Sequence, residues 1–497
     1  MAKPIKIDLR KMSIDPEVIA LISSALARKL GVLPVAWHTR NGTDSLIVAF
    51  RNYEGTSDQG RMDSILDLID QVEDAVDTAV IPCFVEELDV FDQLHKRIYP
   101  KPQAEGGVMG SEALFHRIVN TALVQRASDI HFDADENGAT VRLRVDGRMR
   151  DQQHLDDQQM AELTAVIKLH ADLDIAERRI PLDGAISMDL DGEDVSMRVA
   201  TIPTLNGEHL TLRILADSGS DNLAHLDDLC LSEAHLYQLK SAVSVPNGIV
   251  LVSGPTGSGK TTTLYAALRY LCDQGGKHIV SLEDPVEMPL PGVTQVKIDE
   301  GGERVTFNKA LRSLLRHDPD VALIGEIRDE ETADIAVRAA LTGHLVLSTV
   351  HTNDAVGVVT RLLDLGLPNY LVASTVRLVM AQRLVRRPSP YGLEWRTATE
   401  EECLYMGCDP AEAPKLPVVS ASSLDGGTGY AGRAAIYEMV PIDSSFRSLL
   451  MKQATEEELA EYAFKECGRP TLRMDGIEKA LKGITTLEEV KSVTAVF

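Results

Sequence analysis

Residues Gly254-Pro255-Thr256-Gly257-Ser258-Gly259-Lys260-Thr261, followed by Thr262, have the spacing of a phosphate-binding loop. Its glycines let the backbone curl until several N–H groups point at one anion. Lys260 adds a cation for the β- and γ-phosphates, and the Thr261 hydroxyl can ligate Mg²⁺. The flanks suit that chemistry. Gly248–Ser253 is an apolar strand, and Thr261–Leu271 has the pattern of a helix whose N-terminus faces the phosphate. The spacing therefore predicts an ATP-binding site over residues 254–262.

Phosphoryl transfer to water also needs a second contact to Mg²⁺ and a group that orients the attacking water. Two acidic clusters follow strand-like segments and could supply both. The first is His278-Ile-Val-Ser-Leu-Glu283-Asp284-Pro285-Val-Glu287, and the second is Asp318-Pro-Asp320-Val-Ala-Leu-Ile-Gly325-Glu326-Ile-Arg328-Asp329. Glu326, after the apolar run Val321–Ile324, takes the metal-acid position with Thr261. Which of Glu283 and Glu326 polarises water stays open. His344 and His351 flank the apolar run Leu345–Val350, where polar core groups are the ordinary reading. No third or fourth ligand stands at zinc-site spacing around them.

The elements that must hold these residues follow from periodicity and punctuation. Residues 1–100 read as a small mixed α/β unit, with a helical run over Asp15–Leu30 and strands near Leu33–Trp37, Ser45–Phe50 and Ala79–Phe84. A helix is expected over Met62–Val72. Pro and Gly residues between Tyr99 and Gly110 mark a linker. Residues 112–217 form a second α/β unit with helices over Ser111–Arg126 and Gln158–Glu177. Residues 248–387 alternate strand and helix, as a mainly parallel sheet requires. Residues 388–427 read as loop-rich, and a helical tail is expected from there to residue 497.

Composition narrows the partners. The 497 residues carry 50 Lys+Arg against 75 Asp+Glu, a net charge of −25, with only 2 Trp, 11 Tyr and 9 Phe. Basic grooves and stacking platforms are what nucleic-acid binders need, so no nucleic-acid partner is expected. No run approaches the roughly 18 apolar residues of a membrane span, and no signal peptide is read at the N-terminus. The six cysteines are dispersed without a CxxC pair, the usage of a reduced cytoplasm.

Several longer segments resemble the secretion ATPase superfamily, the ring motors of type II secretion and type IV pilus assembly. These are GPTGSGKTTTLY, LEDPVE, LRSLLRHDPDVALIGEIRDEETA and LTGHLVLSTVHTNDA in the motor region, with ASDIHFD, RLRVDG and SMRVATIPTLNGEHLTLRIL upstream. AQRLVRR, TGYAGRAAIYE and GITTLEEV continue the likeness downstream. The resemblance implies a RecA-like core over 218–387, a PAS-like α/β domain over 112–217 and an N-terminal docking domain over 1–100. A loop-rich lobe and helical C-terminal tail would fill 388–497. It implies that Arg198 and Arg213 reach the γ-phosphate, that Arg312, Arg316 and Arg328 surround the metal-acid strand, and that His344 and His351 sense phosphate or a neighbouring subunit.

That resemblance further implies an Mg²⁺-dependent ATP hydrolase, a homohexamer, that drives pseudopilus or pilus-fibre assembly. Its partners would be an inner-membrane platform protein and a secretion or pilus protein bound at the N-terminal domain. The location would be the cytoplasmic face of the inner membrane, held there by those partners. A pilus-retraction motor and a DNA-translocating or conjugative ring ATPase are the alternatives. Relatives commonly hold zinc with two CxxC pairs in the lobe. Here the corresponding stretches read Ser389-Pro-Tyr-Gly392 and contain Ser422 and Asp425, so no zinc site is expected.

Overall fold

The computed structural model describes residues 110–190, 193–215, 224–298, 307–389, 393–420 and 428–494, together with parts of residues 5–98. The chain divides into two units. One comprises residues 1–217 with 388–394 and 419–432, and the other comprises residues 218–387, 395–418 and 433–497.

The first unit holds two sheets. Strands β1 (Ile5–Ile7), β2 (Val32–Arg40), β3 (Thr43–Phe50) and β4 (Val80–Val85) form a sheet in the order β1-β4-β3-β2. The expected linker at 99–109 and residues 62–67 of the expected helix lie outside the described residues. Strands β5 (Ala127–Asp135), β6 (Gly138–Val145), β7 (Arg148–Asp156), β8 (Leu182–Leu190), β9 (Glu193–Thr204) and β10 (Gly207–Ile214) form the second, in the order β7-β6-β5-β10-β9-β8. Alternation builds its core. Ile130, Phe132, Val141, Leu143, Met197, Val199, Leu210 and Leu212 pack against Phe115, Ile118, Leu163 and Ile167 of helices Ser111–Val124 and Asp157–His170. The residues between them in each strand carry polar chains on the other face.

The helix expected over Gln158–Glu177 spans Asp157–His170 instead. Asp156 and Gln159 form a capping box that starts it, and Asp172, at a φ of +55°, turns the chain soon after its end.

The second unit is built on β11 (Gly248–Ser253), β12 (Ile279–Glu283), β13 (Val293–Lys297), β14 (Val321–Ile324), β15 (Leu345–Val350) and β16 (Val376–Pro388), all parallel. Next come β17 (Leu393–Thr397) and β18 (Lys415–Val419), which pair with each other, and β19 (Tyr430–Pro441). The main sheet runs β13-β12-β14-β15-β11-β16-β19. Its central strands are apolar on both faces because each face is covered. Ile249 and Leu251 enter one hydrophobic cluster, while Val250 and Val252 enter the other with Leu264 and Leu268 of helix Lys260–Gln274.

Two expectations for the C-terminal region change. The stretch read as a helical tail begins with β19, which joins the main sheet through apolar residues such as Ile436 and Val440. The stretch read as loop contains β17, β18 and helix Glu400–Met406, which Thr399 and Glu402 start with a capping box. Residues 421–427, including Ser422, Asp425 and the Gly426-Gly427 pair, lie outside the described residues, as do Pro390 and Gly392.

Candidate nucleotide site

Parallel strands all end at one edge of a sheet, and there loops and helix N-termini collect. The Gly254–Thr261 loop leaves β11 at that edge and enters helix Lys260–Gln274. Gly254 has a φ of +151°, and a Cβ there would lie 2.6 Å from the Gln382 carbonyl and 2.5 Å from Ser258 Oγ. Gly259, at φ +85°, precedes the helix in a left-handed conformation and offers no side-chain cap. The first N–H groups of the helix are thus left for an anion. Ser258 Oγ is buried without a hydrogen-bond partner among the described residues.

Lys260 folds back on this loop, its Nζ donating to the carbonyls of Gly254 at 2.8 Å and Pro255 at 3.0 Å. Burial pushes the Lys260 ammonium pKa down; nearby Arg383 adds to this and Glu287 opposes it. Thr261 Oγ1 lies 3.4 Å from Glu287 Oε1. Pro255, Thr256 and Gly257 form the exposed crest of the loop, and Thr262 is exposed on the first helical turn.

Glu283 ends β12 and is buried. Its carboxylate accepts from Ser281 Oγ at 2.5 Å, from Gln295 Nε2 at 3.2 Å and from the Tyr265 hydroxyl. Burial, and then the adjacent carboxylate, push the Tyr265 phenol pKa up. Asp284 follows on the exposed side. Glu326 follows β14 one strand over, in a turn tied by Thr349 Oγ1 donating to the Gly325 carbonyl at 2.8 Å. Gly325 sits in a tight approach, since a Cβ would stand 3.2 Å from the Leu282 carbonyl. Glu326 pairs with Arg328 and lies 3.3 Å from His351 Nε2. Burial lowers the His351 pKa, and the cations of Lys260 and Arg328 lower it further.

These placements sort the expected residues. Lys260, Thr261, Glu283, Glu326, Arg328 and His351 gather at the strand ends around the loop. His344 does not: it precedes β15, at the opposite edge of the sheet, about 23 Å from His351 at strand rise. There its Nδ1 lies 2.9 Å from the Ala339 carbonyl. Arg316 is exposed before β14, at that same far edge. Arg312 pairs with Glu331 at 2.5 Å. In the other unit, Arg198 and Arg213 are direct cross-strand neighbours on β9 and β10. Arg213 Nε donates to Asp129 Oδ1 at 2.8 Å. Burial raises the Asp129 carboxyl pKa, but hydrogen bonds from Arg213 and Ser128 outweigh it and hold it low.

Sequence reasoning missed Gln382. It is buried on β16, accepts from Thr263 Oγ1 at 2.8 Å and donates to the Ser258 carbonyl at 2.8 Å. An amide directly after the apolar run Leu378–Ala381 was the available signal, because a buried amide without partners is costly. Tyr265, Gln295 and Asp129 were missed as well, each a partner made by a different element, and so was Ser281, two residues before Glu283 on the same strand.

A phosphate loop leaving β11, with acids at the same-edge ends of β12 and β14 of that parallel sheet, defines a P-loop NTPase. The Type II/IV secretion system protein family matches residues 106–492, and the chain belongs to that family. It is 45% identical over 382 residues to the type II secretion system protein E of Pseudomonas aeruginosa, covering 77% of this chain and 75% of that one. It is 39% identical over 381 residues to the type II secretion system ATPase E of Vibrio cholerae, with the same coverage. The type IV pilus assembly ATPase PilB of Thermus thermophilus is 34% identical over 495 residues, 97% of this chain and 55% of the relative.

Among solved structures, the Legionella pneumophila ATPase DotB superposes with a TM-score of 0.56 at 21% identity, over 79% of this chain and 97% of that one. The pilus retraction motor PilT with bound ADP gives 0.52 at 24% identity, over 76% and 96%. At such identities the likeness is one of fold: mixed α/β with a largely parallel sheet. Among the described residues, no helix is long and apolar enough to cross a membrane.

Proposed function

We propose that this chain hydrolyses ATP as the motor of a type II secretion system, working as a homohexamer that drives pseudopilus assembly. The observation that carries the reading is Lys260 held on the Gly254 and Pro255 carbonyls beneath an uncapped helix N-terminus. An arriving triphosphate would take the ammonium from those carbonyls, replacing two neutral acceptors with a charged one. The motor core is read as RecA-like over 218–387, preceded by a PAS-like domain over 112–217 and a docking domain over 1–100. The lobe and tail fill 388–497.

Hard oxygen donors suit Mg²⁺, and the Thr261 hydroxyl with Glu326 fits that requirement, so these two would hold the ion beside the phosphate oxygens. When bound it would neutralise charge developing on the transferred group. Glu283 and Glu326 are the two carboxylates that could orient water. The three hydrogen bonds on Glu283 fix its carboxylate rigidly, while His351 beside Glu326 would register the phosphate. Arg198 and Arg213 would contribute charge to the transition state, with Asp129 holding the Arg213 fork.

The partners proposed are an inner-membrane platform protein and a secretion protein that docks on the N-terminal domain, which would place the motor at the cytoplasmic face of that membrane. Pilus-fibre assembly is the second reading, favoured by the alignment with PilB over 97% of this chain, its N-terminal part included. ATP turnover by the full-length protein tests the activity; rates unchanged by Lys260→Ala would overturn it. Capture of partners by the full-length protein tests the system, because a secretion component and a pilus component distinguish the two readings.

A further inference from the structure

The motif ASDIHFD contributes more than Asp129. On β5 the buried Ile130 and Phe132 alternate with His131 and Asp133, which point to the polar face. On β10 the buried Leu210 and Leu212 alternate with His209 and Thr211 on that same face. Antiparallel register sets Thr211 opposite His131, and one step along His209 Nδ1 lies 2.9 Å from Asp133 Oδ1. The Thr211 hydroxyl bridges the rings, 3.2 Å from His131 Nδ1 and 3.1 Å from His209 Nε2.

We infer that His131, Asp133 and His209 form a binding site for a transition-metal dication of the zinc, cobalt or nickel class. One ligand atom from each residue lies within 4.8 Å of the other two, so a modest closure would bring all three into coordination. Two imidazoles and one carboxylate are a borderline donor set that suits these metals and not Mg²⁺ or Ca²⁺. His131 Nε2 is buried without a hydrogen-bond partner among the described residues, a nitrogen that gains a contact when a cation arrives.

The outer contacts are in place as well. Asp133 Oδ2 accepts from Arg142 Nη1 at 3.0 Å, which orients the carboxylate and leaves Oδ1 for the metal. A metal on His209 Nδ1 takes the place of the contact to Asp133 Oδ1, and the neutral ring then carries its proton on Nε2, 3.1 Å from Thr211 Oγ1 as acceptor. A fourth position stays open for water or for a group from a partner. The absent thiolate pairs of the C-terminal lobe are a separate matter, because this site uses no cysteine.

The test is a Co²⁺ titration of the full-length protein, stripped of metal and nucleotide, read by visible absorption and followed by Zn²⁺ competition. We expect one saturable site with nitrogen and oxygen ligation. His131→Gln and His209→Gln should each weaken it about 10–100-fold, the range seen even for outer-shell partners. The isosteric Asp133→Asn should weaken it too, and keeps the question answerable if a histidine variant misfolds. Zn²⁺ should raise the melting temperature of the unaltered protein but not of the variants. Binding that survives the substitutions, a thiolate-to-metal band, or no saturable binding at millimolar Co²⁺ would each overturn the site.

Discussion

Gln382 and Thr263 meet at 2.8 Å, the Thr263 hydroxyl donating to the amide oxygen while the amide nitrogen donates to the Ser258 carbonyl. One side chain of β16 thus ties both the phosphate loop and the first turn of the following helix. Gln382→Ala leaves the Thr263 hydroxyl and the Ser258 carbonyl unpaired in a buried setting, costing about 1–3 kcal/mol. Denaturant midpoints should fall accordingly. Affinity for a fluorescent nucleotide should fall about tenfold, the equivalent of about 1.4 kcal/mol.

Lys260 and Glu326 should separate binding from turnover. Lys260→Ala removes the cation that meets the phosphates, so nucleotide binding and hydrolysis are lost together. Glu326→Gln keeps the shape and removes a charge, so binding persists while kcat drops about 10²-fold or more. Equilibrium nucleotide titration beside steady-state phosphate release distinguishes the two.

Arg213→Ala should reduce kcat by about 10³-fold, the low end for an arginine finger, with little change in nucleotide affinity. Arg213→Lys should not rescue it, because an ammonium lacks the planar fork. Asp129→Asn weakens the 2.8 Å contact that holds the guanidinium and should give a smaller loss of kcat. Equal loss of binding and turnover in Arg213→Ala would point to damage to the fold.

Glu402 supplies a pH signature in the C-terminal region. The Arg396 guanidinium, bonded to both carboxylate oxygens at 2.7 Å, holds its pKa down to about 2 from an ordinary 4.5. A depressed carboxylate contributes stability above the unfolded value and loses it as pH falls through the folded one. Glu402→Gln keeps the N3 capping partner and removes only the charge. It should lower stability by about 1 kcal/mol at pH 7, since Arg396 is partly exposed and solvent screens the pair. Thermal melts should show the difference constant above pH 5 and vanishing toward pH 2.

What the residues determine alone is local. Eight consecutive positions encode the phosphate loop because its geometry depends on glycine conformations and on one cation adjacent in the chain. Largely apolar runs such as Gly248–Ser253 and Leu345–Val350 encode strands covered on both faces. Glu283 and Glu326 are legible because a parallel strand that ends in an acid delivers it to the same edge as the loop. Tertiary structure decided what depends on neighbours distant in sequence. Strand rise carries His344 to the far edge while His351 reaches Glu326, although the two histidines look equivalent in the sequence. Only the placement of β16 beside β11 puts Gln382 under the loop, and only the register of β5 against β10 brings His209 to Asp133. Local spacing is written in peptide geometry, but register and strand order are settled by packing of the whole core, which no short stretch contains.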